Sequence, residues 1–316
     1  MNLHDIRPNP GSGTYPTDLA KKVTIVEVGP RDGLQSLPWT LTVEQRVDLI
    51  QELNKCGLQN IEIGSLVSSR KVPRMVDSEA VYRRVQRNPG DNYILLVASN
   101  SGLQRAQRCA ASSIALLCAA SDSFSLKNIG RTIEESLHDI QFITARAKAE
   151  GFRVRTYISC AFGCPDEGKI DVDRVGWIAE KVNDFGCDQV CLADTVGNAT
   201  GNQVGEMLHE ISGRIPLEKI SVHFHNDCEQ GLSNLDIALR CGISCFDTAI
   251  AGLGGCPFVR GAAGNIATED AVLLLDRLGF AHGIDLQALQ TLSGRFRGQL
   301  KQLAADGKAF YREETP

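Results

Sequence analysis

The sequence predicts an α/β fold, a (β/α)₈ TIM barrel with a short N-terminal leader and additional C-terminal helices, on three observations. Apolar β-type segments recur along the chain, beginning near Val23, Asn60, Tyr93, Ser113, Arg153, Cys187, Ile220 and Cys245. Between them lie stretches with helical spacing of apolar residues, such as 43–56, 133–149 and 232–240. Gly57, Gly151, Gly186, Gly242 and Gly279 follow these stretches where a helix C-terminal glycine belongs. Strand followed by helix, eight times over about 250 residues, fits a closed parallel barrel better than an open doubly wound sheet. Residues 1–20 read as a poorly ordered leader. Residues 21–316 read as one barrel domain, with helical decoration from about residue 280.

Composition narrows the function classes. The 316 residues are 43% hydrophobic and 22% charged, ordinary globular usage. A net charge of −5 argues against a nucleic-acid partner, so an anionic substrate would need a local basic patch. The longest apolar runs, residues 94–98 and 114–120, are far too short to span a bilayer, which argues against a membrane role. No signal peptide is evident in the first twenty residues. Eleven cysteines, an odd number without any Cys-x-x-Cys pair, read as reduced core thiols of a cytoplasmic protein.

Barrel strands are buried on both faces, so charge within them needs a reason. Glu27 shares parity with Ile25. Glu62 points inward if Ile61 and Ile63 face the helices, and Arg155, Tyr157 and Ser159 share one face of the fifth strand. Asp194 ends the sixth strand. These positions sit near C-terminal strand ends, the face on which barrel enzymes build active sites.

The sharpest local signal is Ser221-Val222-His223-Phe224-His225-Asn226-Asp227. Residues two apart on a strand share a side, so both imidazoles face the barrel mouth while Val222 and Phe224 pack outward. Closure of the barrel brings the first strand beside the eighth and near the seventh, which places Asp32 close to the two histidines. Asn265, after the eighth strand, supplies an amide oxygen. Two imidazoles, a carboxylate and an amide oxygen make a mixed nitrogen–oxygen metal site. Without thiolates it is unlike structural zinc, and it suits Mg²⁺ or Mn²⁺, with zinc or cobalt binding at least as tightly. The same three main ligands also match a non-haem iron oxygenase.

These residues and their surroundings resemble the 3-hydroxy-3-methylglutaryl-CoA lyase family of metal-dependent TIM-barrel lyases and synthases. The resemblance is carried by Val26-Glu27-Val28-Gly29-Pro30-Arg31-Asp32-Gly33, Gly163-Cys164-Pro165, Asp194-Thr195-Val196-Gly197 and His223-Phe224-His225, in that order. It is carried most of all by Ala251-Gly252-Leu253-Gly254-Gly255-Cys256-Pro257, continuing to Gly264-Asn265-Ile266-Ala267. That loop looks like the lyases' catalytic cysteine signature and is unlike the condensing synthases. The resemblance implies metal ligation by Asp32, His223, His225 and Asn265. It also implies an arginine beside the thioester at Arg31, an active-site carboxylate at Glu62 and a loop cysteine at Cys256. Arg31 and Arg155 are the basic residues expected to meet the substrate. The implied reaction is retro-Claisen cleavage of an acyl-CoA, and a homo-oligomer is compatible with it.

Four segments depart from the family pattern. Ser36-Leu37-Pro38 stands for Asn-Glu-Lys, and Ala98-Ser99-Asn100-Ser101-Gly102 stands for Pro-Asn-x-x-Gly. Asn226 replaces an aspartate, and Asn198-Ala199-Thr200 replaces a segment ending in Thr-Pro. The basic cluster Arg70, Lys71 and Arg74, and the turn 194–201 before a helix, are candidate sites for CoA phosphates. Changes at substrate-side positions leave the same cleavage of another hydroxyacyl thioester open, as well as a non-enzymatic scaffold.

Overall fold

The computed structural model describes Tyr15 and residues 22–226, 230–254 and 264–305. Eight strands close into a barrel in sequence order: β1 (Thr24–Glu27), β2 (Asn60–Ser65), β3 (Asn92–Leu96), β4 (Ser113–Ala119), β5 (Arg153–Ser159), β6 (Gln189–Asp194), β7 (Ile220–Phe224) and β8 (Cys245–Thr248). All pairs are parallel, and β1 closes on β8 with Val26 opposite Asp247 and Glu27 opposite Thr248.

Helices surround the strands: α1 (Val43–Lys55), α2 (Ser78–Arg84), α3 (Asn100–Arg108), α4 (Asp122–Asn128), α5 (Ile133–Ala149), α6 (Val172–Asp184), α7 (Gly201–Ser212), α8 (Gly231–Arg240), α9 (Thr268–Leu278) and α10 (Leu286–Ala305). Three start with reciprocal caps, Thr42 with Gln45, Thr132 with Glu135 and Thr200 with Gln203, which satisfy backbone donors that the first helical turn leaves free. Gly57 ends α1 at φ 95°, and a Cβ there would lie 2.3 Å from the Gly283 carbonyl oxygen, so only glycine fits. No helix among the described residues is long and apolar enough to cross a membrane.

Strand alternation divides the buried residues into two sets. Ile25, Ile61, Ile63, Leu95, Ile114, Val222 and Phe224 join the large core between strands and helices. Val26, Val28, Ile94, Leu96, Ala115, Tyr157 and Cys191 form a smaller cluster inside the barrel.

Two of the strand-end carboxylates serve the fold. Glu27 shares the outward parity of Ile25 and is fully buried. It accepts hydrogen bonds from Gly29 N (2.8 Å), Ile250 N (2.9 Å) and Thr268 Oγ1 (2.6 Å), tying the end of β1 to the β8 turn and the start of α9. Asp194 accepts from Gly197 N and Ala199 N, both at 3.0 Å, and so shapes its own turn. The following helix start is already capped by Thr200, whose Oγ1 accepts from Gln203 N.

Removing the Glu27 side chain leaves three buried donors unmet, each costing about 1–3 kcal/mol. Glu27→Ala is therefore expected to lose about 3 kcal/mol in urea unfolding. Burial raises the Glu27 carboxyl to about 7, although Thr268, Ile250 and Gly29 pull it back. The folded state thus holds this proton more tightly than the unfolded chain, and the contribution to stability declines as pH rises from about 4.5 through about 7. Glu27→Gln, which cannot titrate, should lack that part of the decline between pH 5 and 8. The same pH slope in both proteins would exclude Glu27 as its source.

Candidate active site

The candidate site grows from the turn after β1. Residues Gly29–Gly33 wind into one wide helical turn in which Val28 O accepts from Arg31 N, Asp32 N (2.7 Å) and Gly33 N. Gly29 lies so close to Glu27 that a Cβ would stand 2.5 Å from Oε1. This tight winding puts the side chains of Arg31 and Asp32 on the wall of the barrel mouth. Across the closure, β7 presents His223, and His225 follows in an antiparallel bridge with Asn265.

Asp32, His223 and His225 each offer one ligand atom, and these atoms lie within 4.8 Å of one another. Ligand atoms around a cation with bonds of ~2.1 Å lie about 3.0–4.2 Å apart, so these atoms need to draw together by no more than about 2 Å to share one ion. Asn265 is already oriented. Its Nδ2 donates to Asp32 Oδ2 (2.9 Å) and to Leu253 O (2.8 Å), which leaves Oδ1 buried with no hydrogen-bond partner. His225 Nδ1 is buried and unpartnered as well. An amide oxygen and a ring nitrogen, both buried without partners beside a carboxylate, are costly without a ligand. The donor set therefore fits a divalent cation.

Electrostatics agree with the geometry. Burial, reinforced by His223, lowers His225 to about 4, so its ring is neutral with a lone pair free near pH 7. Burial alone would raise Asp32, but Arg31, His223 and His225 together hold its carboxyl below the usual range. Arg31 donates from one terminal nitrogen to Asp32 Oδ1 and from the other to Glu62 Oε2, both at 2.7 Å, while its Nε has no partner.

Beneath this layer lies a second one that sequence reasoning found only in part. Tyr157 donates its hydroxyl between Glu62 Oε2 (3.0 Å) and Asp247 Oδ2 (2.9 Å). Arg155 pairs with Asp247 Oδ1 at 2.7 Å and reaches Ser221 Oγ at 3.2 Å. Burial opposes ionisation of Asp247, yet Arg155 and His223 bring its carboxyl down to about 2. Arg155 shares a face with Tyr157 and Ser159 but sits about 13 Å below Ser159 along the strand. Tyr157 and Ser159 line the cavity, whereas Arg155 and Glu62 do not. Asp247 went unnoticed in the sequence although its signal was present, a charge inside a buried strand with the inward parity of Cys245.

The mouth opens into a cavity of about 820 Å³. Arg31, Asp32, Tyr157, His223 and His225 form its floor, and Leu96, Leu117 and Phe124 supply apolar wall. Of the basic cluster after β2, Lys71 lines the cavity while Arg70 and Arg74 do not; Lys127 and Arg131 add further charge. Ala98, Ser99 and Asn100 lie on the wall, whereas Ser36, Leu37 and Pro38 do not. Asn226 accepts from Gly231 N at 3.1 Å and so supports the start of α8. Cys256 falls in 255–263, outside the described residues, as does residue 227. The leader also falls outside them apart from Tyr15, whose hydroxyl donates to Asp236 Oδ1 at 2.6 Å.

A closed parallel barrel with two imidazoles, a carboxylate and an arginine at its mouth defines a barrel enzyme with a candidate metal centre. The family model described as HMGL-like matches residues 22–294, and the chain belongs to that family of carbon–carbon lyases. A Pseudomonas aeruginosa relative named 3-hydroxy-3-isohexenylglutaryl-CoA/hydroxy-methylglutaryl-CoA lyase is 39% identical over 272 residues, covering 86% of this chain and 91% of the relative. A Danio rerio relative named 3-hydroxy-3-methylglutaryl-CoA lyase, cytoplasmic, is 42% identical over 264 residues, covering 84% and 79%. The solved structure of an HMG-CoA lyase from Acinetobacter baumannii, in complex with coenzyme A and 3-methylmalate, superposes with a TM-score of 0.87 at 34% identity, covering 95% of this chain and all of that one.

Titration calorimetry with Mn²⁺ is expected to show one site. Bound at 100-fold its dissociation constant, the ion should stabilise the fold by about 2.7 kcal/mol, read as a rise in thermal midpoint. His225→Ala should lose both the heat and the rise. An unchanged Mn²⁺ response in His225→Ala would remove that residue from the ligand set.

Proposed function

We propose that this lyase cleaves 3-hydroxy-3-methylglutaryl-CoA to acetyl-CoA and acetoacetate, with Mg²⁺ or Mn²⁺ held by Asp32, His223, His225 and Asn265. The observation that carries the reading is the pair of buried, unpartnered atoms Asn265 Oδ1 and His225 Nδ1 beside Asp32, with Asp32 and His225 lining the same pocket as Arg31. The names of the relatives and the coenzyme A in the Acinetobacter structure support the substrate class.

Retro-Claisen cleavage takes a proton from the tertiary hydroxyl, breaks the adjacent carbon–carbon bond and leaves a ketone and a thioester enolate. The enolate carbon then takes up a proton, so no net acid or base is consumed. A divalent cation held by Asp32, His223, His225 and Asn265 would lower the pKa of a hydroxyl placed against it. Arg31, fixed on both sides by Asp32 and Glu62, faces the thioester oxygen with its charge preorganised, so the developing enolate costs little reorganisation. Glu62 acts by holding Arg31 and Tyr157, since it does not itself line the cavity. Cys256 is assigned delivery of the proton to the enolate. Its loop departs from Gly254, where a Cβ would stand 2.1 Å from Asn265 Nδ2 and 3.2 Å from Asp32 Oδ2, so the loop begins against the ligand cluster. Burial of the nine described cysteines as free thiols suits a reducing, cytoplasmic setting.

A second reading is the same cleavage of a 3-hydroxyacyl-CoA with a longer branch, favoured by the apolar wall of Leu96, Leu117 and Phe124. Comparing the two thioesters with metal present separates these readings, and turnover of ~1–10³ per second marks the true substrate. Arg31→Met is expected to lower that turnover about 10²–10³-fold, with Mn²⁺ still bound. Full turnover in this variant would overturn the charge-stabilising role. Cys256→Ala should lose turnover at an unchanged thermal midpoint, and normal activity there would remove the thiol from the chemistry.

A further inference from the structure

We propose that Asp247 is a positioning residue that fixes the tautomer of His223 for metal ligation and, through Tyr157 and Glu62, the orientation of Arg31. The inference rests on the metal reading of the site given above.

Asp247 stands opposite His223 in the β7–β8 register, one strand over and inside the barrel. Its Oδ1 is taken by Arg155 at 2.7 Å. Its Oδ2 receives the Tyr157 hydroxyl at 2.9 Å and faces His223 Nδ1 at 3.3 Å. A carboxylate only accepts, so a hydrogen bond here requires the hydrogen of the neutral imidazole to sit on Nδ1. The Nε2 lone pair is then left for a cation at the cavity floor. Carboxylate support of this kind orients ligating histidines, and its loss typically weakens metal affinity 10–100-fold.

The second arm runs the other way. The Tyr157 ring is edge-on to His223, with centroids 6.1 Å apart, and its hydroxyl spans Asp247 and Glu62. Glu62 in turn holds the Arg31 guanidinium at 2.7 Å. One buried carboxylate is thereby linked to both halves of the site: directly to the histidine assigned to the cation and, through three hydrogen bonds by way of Tyr157 and Glu62, to the arginine assigned to the thioester. Asp247 meets no cavity space itself, which is why it positions rather than reacts.

Neutralising Arg155 is the rival role, and the test separates the two. Asp247→Asn offers an amide that can donate to Nδ1 and move the ring hydrogen to Nε2. Because this substitution strands the Arg155 charge in the interior, the double variant Arg155→Met with Asp247→Asn is made alongside it to keep the fold. Mn²⁺ affinity by calorimetry and the imidazole ¹⁵N shifts of metal-free protein are measured for wild type and both variants. The expected result is 10–100-fold weaker Mn²⁺ binding in every folded variant. It is accompanied by a His223 spectrum that changes from the Nδ1-protonated to the Nε2-protonated pattern. Wild-type affinity and an unchanged His223 pattern in the folded double variant would overturn the inference. Should wild type bind no Mn²⁺ at all, the metal reading fails and takes this inference with it; a failure confined to Asp247 leaves wild-type binding and its loss in His225→Ala intact.

Discussion

Charge shut inside a β-barrel is the constraint on which the rest of this structure depends. Two guanidinium groups, Arg31 and Arg155, and three carboxyl groups, Asp32, Glu62 and Asp247, are bonded together in its interior and mouth, with one more acidic group than basic among these five. Each ion is expensive out of water, and only mutual pairing makes its burial tolerable. The groups therefore cannot be placed independently. Tyr157 joins the Arg31 pairs to the Arg155 pair through hydrogen bonds of 2.9 and 3.0 Å, turning separate ion pairs into one network. An excess of acidic groups beside two imidazoles is an environment complementary to a divalent cation.

Rigidity around that network comes from a different kind of interaction. The large apolar layer between strands and helices fixes the strands, and Glu27 fixes the seam where the barrel closes. The seam matters because Asp32 comes from the first strand's turn while Asn265 follows the last strand. A hydrogen bond of 2.9 Å between them joins residues 233 positions apart. Closure of the fold and assembly of the site are thus the same event.

Much of this was legible in the sequence, for identifiable reasons. Asn60, Ser113, Arg153, Ile220 and Cys245 begin strands where the apolar patterns place them, and Ile133–Ala149 is a helix over its whole span, because a strict period of two or 3.6 leaves little freedom. β6 starts two residues later than expected, at Gln189, since Cys187 packs as an apolar residue ahead of the ladder. The two histidines of β7 were visible because i and i+2 share a side. Parity says nothing about depth, however. It assigned Arg155 and Ser159 to one face without showing that only the latter borders the cavity. Parity also left the direction of Glu27 open, and its outward turn toward Thr268 appears only with the helices in place. Asp247 shows the opposite case: a charge one residue from the end of a buried strand, with the inward parity of Cys245, is a signal that the sequence carries in plain form.

Arg31 and Asp32 are consecutive residues in one wide turn, bonded to each other through their side chains at 2.7 Å. The group assigned to the organic anion and the group assigned to the inorganic cation therefore sit on residues joined by a single peptide unit. Any drift of that turn moves both at once and in the same sense. Lineages diverging on this scaffold can vary walls such as Ala98 and Ser99 without disturbing either group, but they cannot retune one member of the pair alone. Innovation in substrate choice is channelled toward the rim, and the dipeptide at the floor is inherited as a unit.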